Sequence, residues 1–598
     1  MILSKIKTLL LFCLFASTVF AQTITHGPMI GGVTENSARI YIRTNQATNF
    51  ILEYSTDSLF SAFQSINSGT DAASDSSKII NLSSLNTSTH YYFRYRINGV
   101  IQNVRGHFKT FPTVGTAGHL VFVTGSCQET PNMKVFDLMP TYKPDLFIHT
   151  GDFTYPSYQL PRYFGANYPE TRGTIELAWR KRNEEPVCKE MLKKMPIAYM
   201  PDDDDTWGNS KYFKGGGAMV RYDFGKLINY FDLIPRTQEM RDNCLKGYHD
   251  FFPGYPVVND TDGYYHAFKV GNCEFFMIDV RSCNTGGWNN LKYNSALNLW
   301  TFDGNNPAHT LLNHPQLEWL LNGLRNSTAT WKFIISGVPF NRNIQPLVEL
   351  PLLIQGMEFN IAGNAGTGFR MSYSFSDYFG AYAYEREKIL HYIKDNAIKN
   401  VIVISGDTHG CAIDDGTNAG LPEMNASGLS VSSTELYFQF NNILSQIGFD
   451  LNKWLWNKGG LGIGNTNMKN AFGKMEVFGN DSVQLDVIDE DNFTVAHLTI
   501  KNNNIVSSVN ELKVMNDLVR IFPNPASDKI QLEVNTKYIG EKIQRIRIYD
   551  ITGKEMLTKS FNTAAINIEI PITQLSSAAY LITIETDKSF AVQKFVKE

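Results

Sequence analysis

The chain is poor in cysteine, in net charge and in long apolar runs. Seven cysteines in 598 residues, with no pair spaced Cys-x-x-Cys, are too few for a disulfide scaffold and leave no zinc ribbon. Against 58 Asp+Glu stand 54 Lys+Arg, a formal charge of −4. The basic excess on which tight nucleic-acid binding draws is therefore missing, and no nucleic-acid partner is expected. After the first 20 residues the richest apolar stretch, Pro346 to Ile354, is short and interrupted by Glu349 and Pro351. A spanning helix needs about 20 apolar residues. No Gly-x-Ser-x-Gly elbow occurs, which removes a serine hydrolase built on that turn. What is present is 43% hydrophobic and 13% aromatic residues with 19% charged, a composition of packed cores and not of disorder. At about 150 residues per domain the length allows roughly four.

The two ends differ from the rest. Lys5 and Lys7 precede an apolar run from Leu9 to Phe20 that closes on Val19-Phe20-Ala21. This is the pattern of a secretory leader cut after Ala21, so residues 1–21 are expected to be a signal peptide and the mature chain to have no transmembrane segment. At the other end, beyond the charged connector at Glu511 to Asp517, short alternating strands read as a small β-sandwich over 517–598: Val519 to Phe522, Ile530 to Val534, Ile546 to Asp550 and Tyr580 to Ile584. Pro523-Asn524-Pro525, then Tyr549-Asp550 with Gly553-Lys554, then the Tyr580 strand and the basic end Lys594 to Lys597 resemble the type A sorting domain of the type IX secretion system. Ala579 stands where that pattern has glycine. The resemblance implies the type IX secretion machinery as a partner and an address at the cell surface or outside it.

Residues 22–113 alternate apolar and polar side chains, as in Ala38 to Arg43 and His90 to Ile97, with a hairpin turn at Asn98-Gly99. They read as a fibronectin III-like sandwich without catalytic groups. Its Ser-rich stretch, Ser68 to Ser77, reads as a mobile loop.

From about residue 118 to 510 buried strands alternate with helical stretches, the pattern of a layered α/β core. Three apolar strands end in residues able to bind metal. Leu120 to Val123 leads to Gly125-Ser126-Cys127, Leu146 to Ile148 to His149-Thr150-Gly151-Asp152 and Tyr155, and Val401 to Ile404 to Ser405-Gly406-Asp407-Thr408-His409. Ligands gather outside the carboxyl ends of strands in such folds, so these loops are expected to converge. Between an apolar strand and a Gly-rich loop, Asp202-Asp203-Asp204-Asp205 sets four carboxylates in a row, whose repulsion a cation relieves directly.

Gly-Ser-Cys, His-x-Gly-Asp-x-x-Tyr, Pro-Asp-Asp-x-Asp followed by Asn, and Ser-Gly-Asp-x-His, in that order, resemble the alkaline phosphatase D (PhoD-like) branch of the calcineurin-like metallophosphoesterases. Thr25 to Met29, Gln316 with Trp319 and Leu320, Trp331-Lys332, and Tyr382 with Glu385-Arg386 support the likeness, which spans about Thr25 to Val506. The resemblance implies an αββα core between the two sandwiches, holding Fe(3+) and Ca(2+). Cys127 and Tyr155 are then ligands to iron, and Asp152 bridges iron and calcium. Asp203, Asn209, Asp407 and His409 complete the shells, undivided between the metals. Thiolate and phenolate suit a trivalent transition metal, carboxylate and amide oxygens suit calcium. The implied activity is secreted, metal-dependent hydrolysis of phosphate esters, with hydroxide made at the metals attacking phosphorus in line and Asp152, Asp204 and His409 at the catalytic positions.

One position departs from the family, which places His where this chain has Asp204. A carboxylate beside a dianionic ester repels it, so three outcomes stay open: a shifted optimum or substrate, a further calcium held by Asp204, or a weakened enzyme. Two rival functions follow, a phosphodiesterase or phospholipase of the same fold and a surface binding protein on a degenerate scaffold. Among other groups, Cys411 reads as a buried thiol, Asp414-Asp415-Gly416 as a turn, and Cys188, Cys244, Cys273 and Cys283 as candidates for pairing after export.

Overall fold

The computed structural model describes residues 21–598 apart from 131, 156–171, 206–217, 222–231, 236–237, 286–290, 295–298, 303, 342–377, 417–418, 431–468, 503–512, 515–517, 539, 551–554, 565–566 and 587–588. The leader, Asn209, the stretch Pro346 to Ile354 and the Gly553-Lys554 turn lie outside the described residues.

Two large sheets carry the middle of the chain, a strand-rich α/β arrangement. One has nine strands in the order 494–501, 482–489, 471–478, 119–125, 146–149, 197–199, 24–31, 38–44, 77–82. The other has six, in the order 266–270, 273–278, 331–336, 401–405, 422–426, 411–415. In the first, His119–Gly125, Leu146–His149 and Ile197–Tyr199 run parallel. In the second, Cys273–Ile278, Trp331–Ser336, Val401–Ser405 and Pro422–Ala426 run parallel.

The continuous apolar character of these strands follows from burial on both faces. Along Cys273–Ile278, Phe275 and Met277 turn toward the facing sheet, while Phe276 and Ile278 turn toward helices. Phe275 meets Phe122 of the nine-stranded sheet edge to face, centroids 5.1 Å apart. On the opposite side Phe276 lies against Trp319 at 5.9 Å. Trp319 belongs to the helix Asn313–Asn326, which buries Gln316, Leu317, Leu320, Leu321 and Leu324. That 3-4 spacing is one helical face. Fully burying one such Leu is worth about 2 to 3 kcal/mol, so this stripe alone fixes the helix on the sheet.

The amino-terminal strands do not form a detached module. Ile24–Gly31 pairs in parallel with Ile197–Tyr199 through Gly31 and Ile197, so the core sheet continues into the strands 38–44 and 77–82. A side chain at residue 31 would meet the Pro253 carbonyl at 2.5 Å. Four further strands, 49–55, 64–69, 90–97 and 100–109, make a separate sheet. The Ser-rich stretch read as a mobile loop is instead the end of one strand, a 3-10 turn Ala72–Ser74 and the start of the next. Asp71 caps that turn, accepting from Ala73 N at 2.9 Å. Asp75 is held between Arg43 and Arg180, a buried anchor invisible in serine content.

At the carboxyl end, sheets of five and three strands share their own core, which includes Ile530, Leu532, Ile546, Ile548, Ile582 and Phe595. No helix among the described residues is long and apolar enough to cross a membrane.

Candidate metal centre

The parallel strands end on one side, and their loops are tied to each other by main-chain bonds. Cys127 N donates to Gly151 O at 3.2 Å, Gln128 N to Asp152 O at 3.1 Å, Thr150 N to Gly125 O at 2.9 Å and Met200 N to His149 O at 3.2 Å. Close approach of these loops depends on residues without side chains. A Cβ on Gly151, whose φ is +120°, would sit 2.3 Å from Asp202 Cβ, and one on Gly337 would sit 2.6 Å from Asp202 Oδ1.

Ligating atoms of Cys127, Asp152, Asp407 and His409 lie within 4.8 Å of one another, as do those of Asp152, Asp202, Asp203 and Asp407. Asp152 and Asp407 belong to both groups. Tyr155 joins them, its hydroxyl donating to Asp152 Oδ2 at 3.0 Å. The Cys127 thiol reaches the same oxygen at 3.5 Å. Thus Cys127, Asp152, Tyr155, Asp203, Asp407 and His409 are brought together, while Asn209 lies outside the described residues. Four of them, Cys127, Asp152, Asp407 and His409, have left-handed backbones, with φ from 54° to 61°. For non-glycine residues this costs about 1 to 2 kcal/mol each, strain of the kind that concentrates at functional sites. Here it turns side chains on successive strand ends toward one point.

The donors are costly to ionise in one another's company. Burial, then the charges of Asp203, Asp204, Asp202 and Asp407, pushes Asp152 well above the usual carboxylate range. Burial and the Asp152 charge do the same to the Cys127 thiol and the Tyr155 phenol. Burial holds His409 below the ordinary imidazole value, which favours the neutral ring that binds metal. A thiol, a phenol, an imidazole and several carboxyls packed this closely fit bound cations, because cations remove the like-charge penalty that keeps them protonated.

The row of four aspartates divides. Asp203 is turned to the cluster, with its Oδ1 also 3.8 Å from Arg281 Nη2. Asp202, although its oxygen is near the cluster, bonds to Arg281 Nε. Asp205 accepts from the backbone of Asp152 at 2.7 Å, Asp202 at 2.9 Å and Thr154 at 2.6 Å. A cation at the cluster would therefore not meet all four alike, because the turn sends successive side chains in different directions. Asp204 is the most open of the four. Its backbone N donates to Asp152 Oδ1 at 3.2 Å, and burial with the charges of Asp203, Asp205 and Glu129 raises its carboxyl well above the ordinary value.

Arg281, and the part Asp205 plays behind the Asp152 loop, are not marked by the strand-end pattern of metal-binding residues. The signal for Arg281 was available, since Asp279-Val280-Arg281 follows the apolar strand Cys273–Ile278 in the same way. His149 is a buried core ring, set among Phe147, Phe153 and Tyr199 and well below its ordinary pKa through burial. Cys411 is a buried thiol raised to about 12 by burial. The pairing expected of Cys188, Cys244, Cys273 and Cys283 is not found: all six described cysteines are buried thiols. Cys283, for one, donates to Asp262 O at 2.6 Å, which directs its sulfur to a carbonyl.

Two facing sheets with a strand-end cluster of acidic, thiol and imidazole donors fit a metallophosphoesterase-like fold. A solved structure titled "Structure of PhoD" superposes with a TM-score of 0.57 at 18% identity, covering 79% of this chain and 89% of that one. The model of the PhoD-like phosphatase family matches residues 121–439, more than half the chain, and the chain belongs to that family. The alkaline phosphatase D of Bacillus subtilis (strain 168) is 24% identical over 344 residues, 53% of this chain and 51% of the relative. The chain thus spans about half the length of the curated relative it matches. A purple acid phosphatase from yellow lupin seeds aligns at 12% identity with a TM-score of 0.46, too loose to weigh. Residues 520–598 match a secretion system C-terminal sorting domain, which marks the chain for export.

Proposed function

We propose that the protein is an exported, metal-dependent phosphatase whose centre is formed by Cys127, Asp152, Tyr155, Asp203, Asn209, Asp407 and His409. The observation that carries this reading is the meeting of two four-residue donor groups at Asp152 and Asp407, in a chain of the PhoD-like phosphatase family. Thiol and phenol beside Asp152 suit Fe(3+), and the carboxylate side suits Ca(2+). When bound, such cations acidify water and neutralise the oxygens of a phosphoryl group.

The chain's own residues supply the rest. Asp152 stands between the two donor groups and sets their spacing. His409, kept neutral by burial, presents a lone pair. Tyr378 donates its hydroxyl to Asp407 O, and Thr408 N donates to Ser427 Oγ at 2.8 Å, so the Asp407 to His409 segment is positioned from both sides. Asp204, at the open side, is where the substrate's charge is read. In this reading residues 1–21 are a cleaved leader, 22–113 a fibronectin III-like domain whose strands 24–31, 38–44 and 77–82 run on into the core sheet, 118–510 an αββα catalytic domain, and 517–598 a sandwich read by the type IX machinery.

The assay is phosphate release from a monoester and a diester by the purified protein, before and after chelation, with metal analysis of the same sample. Asp152→Asn is expected to abolish release and lower metal content. Undiminished release from metal-free protein would refute the proposal. A phosphodiesterase is favoured as second reading by the carboxyl at Asp204, since a diester carries one negative charge fewer. Asp204→His is expected to raise monoester over diester turnover, and an unchanged ratio removes Asp204 from substrate choice. A degenerate binding protein predicts neither metal nor turnover in any of these samples.

A further inference from the structure

Arg281 is the most deeply placed cation of the site. Its side chain is 1% exposed, its Nε bonds to Asp202 Oδ1, and its Nη2 donates to Asp407 Oδ2 at 2.6 Å and lies 3.8 Å from Asp203 Oδ1. These partners come from different layers. Asp202 follows the strand Ile197–Tyr199 of the nine-stranded sheet. Asp407 follows Val401–Ser405, and Arg281 follows Cys273–Ile278, both of the six-stranded sheet with Trp331–Ser336 between them. Gly337, at the end of that intervening strand, leaves the lane open: a Cβ there would sit 2.6 Å from Asp202 Oδ1.

The arginine is also aimed before it meets these carboxylates. Asp279 Oδ1 accepts from Arg281 N and Ser282 N, each at 2.9 Å, and its Oδ2 accepts from Tyr264 N at 2.9 Å. Gln316 grips the same residue from the helix, accepting from Asp279 N at 2.7 Å and donating to Asp279 O at 2.8 Å. A planar fork held this way bonds two carboxylates in fixed directions, which a flexible ammonium does not do.

We propose that Arg281 is a positioning residue of the metal centre. It ties Asp202 to Asp407 across the two sheets, so that Asp202 serves as a strut for Arg281 and not as a metal ligand, and Asp407 is held in place through its Oδ2. This rests on the reading of the cluster as a metal centre. It goes beyond that reading by giving Asp202, whose oxygen lies within the carboxylate group, a role outside the ligand set, and by assigning the orientation of Asp407 to Arg281.

The test is titration of calcium and of iron into metal-stripped full-length protein, with metal content per chain and the circular dichroism spectrum of each sample. Arg281→Gln is expected to bind metal about 10- to 100-fold more weakly, the usual loss when a partner that orients a ligand is removed. Arg281→Lys, which keeps the charge but not the fork, is expected to recover only part of that loss. Asp202→Asn is expected to keep the native metal content, and Asp407→Asn to lose it. Unchanged or tighter binding by Arg281→Gln would overturn the proposal, because it would mean that the guanidinium only competes with cations. So would loss of a metal ion in Asp202→Asn, a substitution that leaves an oxygen for Arg281 and decides the matter if Arg281→Gln does not fold. Native protein that takes up no metal would fail the metal-centre reading itself, whereas native uptake with an unaffected Arg281→Gln fails this inference alone.

Discussion

Asp205 supports the centre without facing it, and Asp205→Asn measures how much. Its Oδ2 accepts from Asp152 N and Asp202 N at 2.7 and 2.9 Å, and its Oδ1 accepts from Thr154 N and Thr154 Oγ1 at 2.6 and 2.9 Å. An asparagine of the same shape has one accepting oxygen. Its better orientation keeps that oxygen toward Asp152 and Asp202 and puts the amide nitrogen toward Thr154, whose hydroxyl can turn to accept while its N–H cannot. One buried N–H then goes unsatisfied, at a cost of about 1 to 3 kcal/mol, and two bonds to a charged acceptor become neutral ones, each weaker by about 1 kcal/mol. The expected loss is about 3 to 5 kcal/mol, a large share of the roughly 5 to 15 kcal/mol that holds a domain together. Asp152 feels it most, because its left-handed φ of 59° is held through this bond. Chemical denaturation followed by far-UV circular dichroism should show a lower midpoint, and metal titration a weaker affinity by about 10- to 100-fold. Saturating metal should restore part of the midpoint, since only the folded state binds it. A variant within about 1 kcal/mol of the native protein, with native metal affinity, would refute the argument that Asp205 holds the Asp152 loop.

Gly151→Ala should remove metal binding and phosphate release while the fold survives, because the added Cβ would stand 2.3 Å from Asp202 Cβ, an overpacking worth about 1 to 3 kcal/mol. Gly99→Ala, at φ +78° with nothing within 4 Å, is the control that strains a turn and leaves metal content unchanged. Glu385, buried beneath the helix start where Leu311 N and Leu312 N donate to it at 2.6 and 3.1 Å, is raised by burial from 4.5 to about 7. The folded state therefore holds this proton where the unfolded chain has released it. The contribution is complete below about pH 4.5 and is lost as pH rises through about 7, roughly 3 kcal/mol in all. Thermal melts of native protein and Glu385→Gln from pH 4 to 8 should show a shallower slope for the variant, and parallel slopes would refute this. Finally, all six described cysteines are buried thiols, so a thiol reagent should react with almost none in the folded protein and with all six after denaturation without reductant. Fewer than six would reveal a disulfide.

The strand ends that carry Cys127, Asp152 and Asp407 were legible because two signals coincide there. An uninterrupted apolar run reports a strand buried on both faces, and a Gly-Asp or Gly-Ser step reports where it stops. Nothing local reports which strands are neighbours. Ile24–Gly31 lies within the stretch that reads as a sandwich, yet pairs with Ile197–Tyr199 and lengthens the core sheet, a contact decided by tertiary packing around Gly31. Nor does serine content report that Asp75 sits between two arginines, one of them more than 100 residues away.

The run Asp202 to Asp205 makes the same point inside the site. In the sequence it is one feature, four like charges whose repulsion calls for a cation. A turn, however, points consecutive side chains in different directions, and each then answers to whatever it meets. Asp202 meets Arg281, Asp203 the donor cluster, Asp204 the open side and Asp205 three backbone N–H groups. Two of the four charges are thus compensated by the protein before any cation arrives. In the proposed centre, cations would compensate Asp152 and share with Arg281 the charges of Asp203 and Asp407. The protein's own compensation also lowers the repulsion that a phosphate ester would meet, so substitution of Arg281 or Asp205 should weaken substrate capture as well as metal binding, whereas loss of Asp204 alone should ease it.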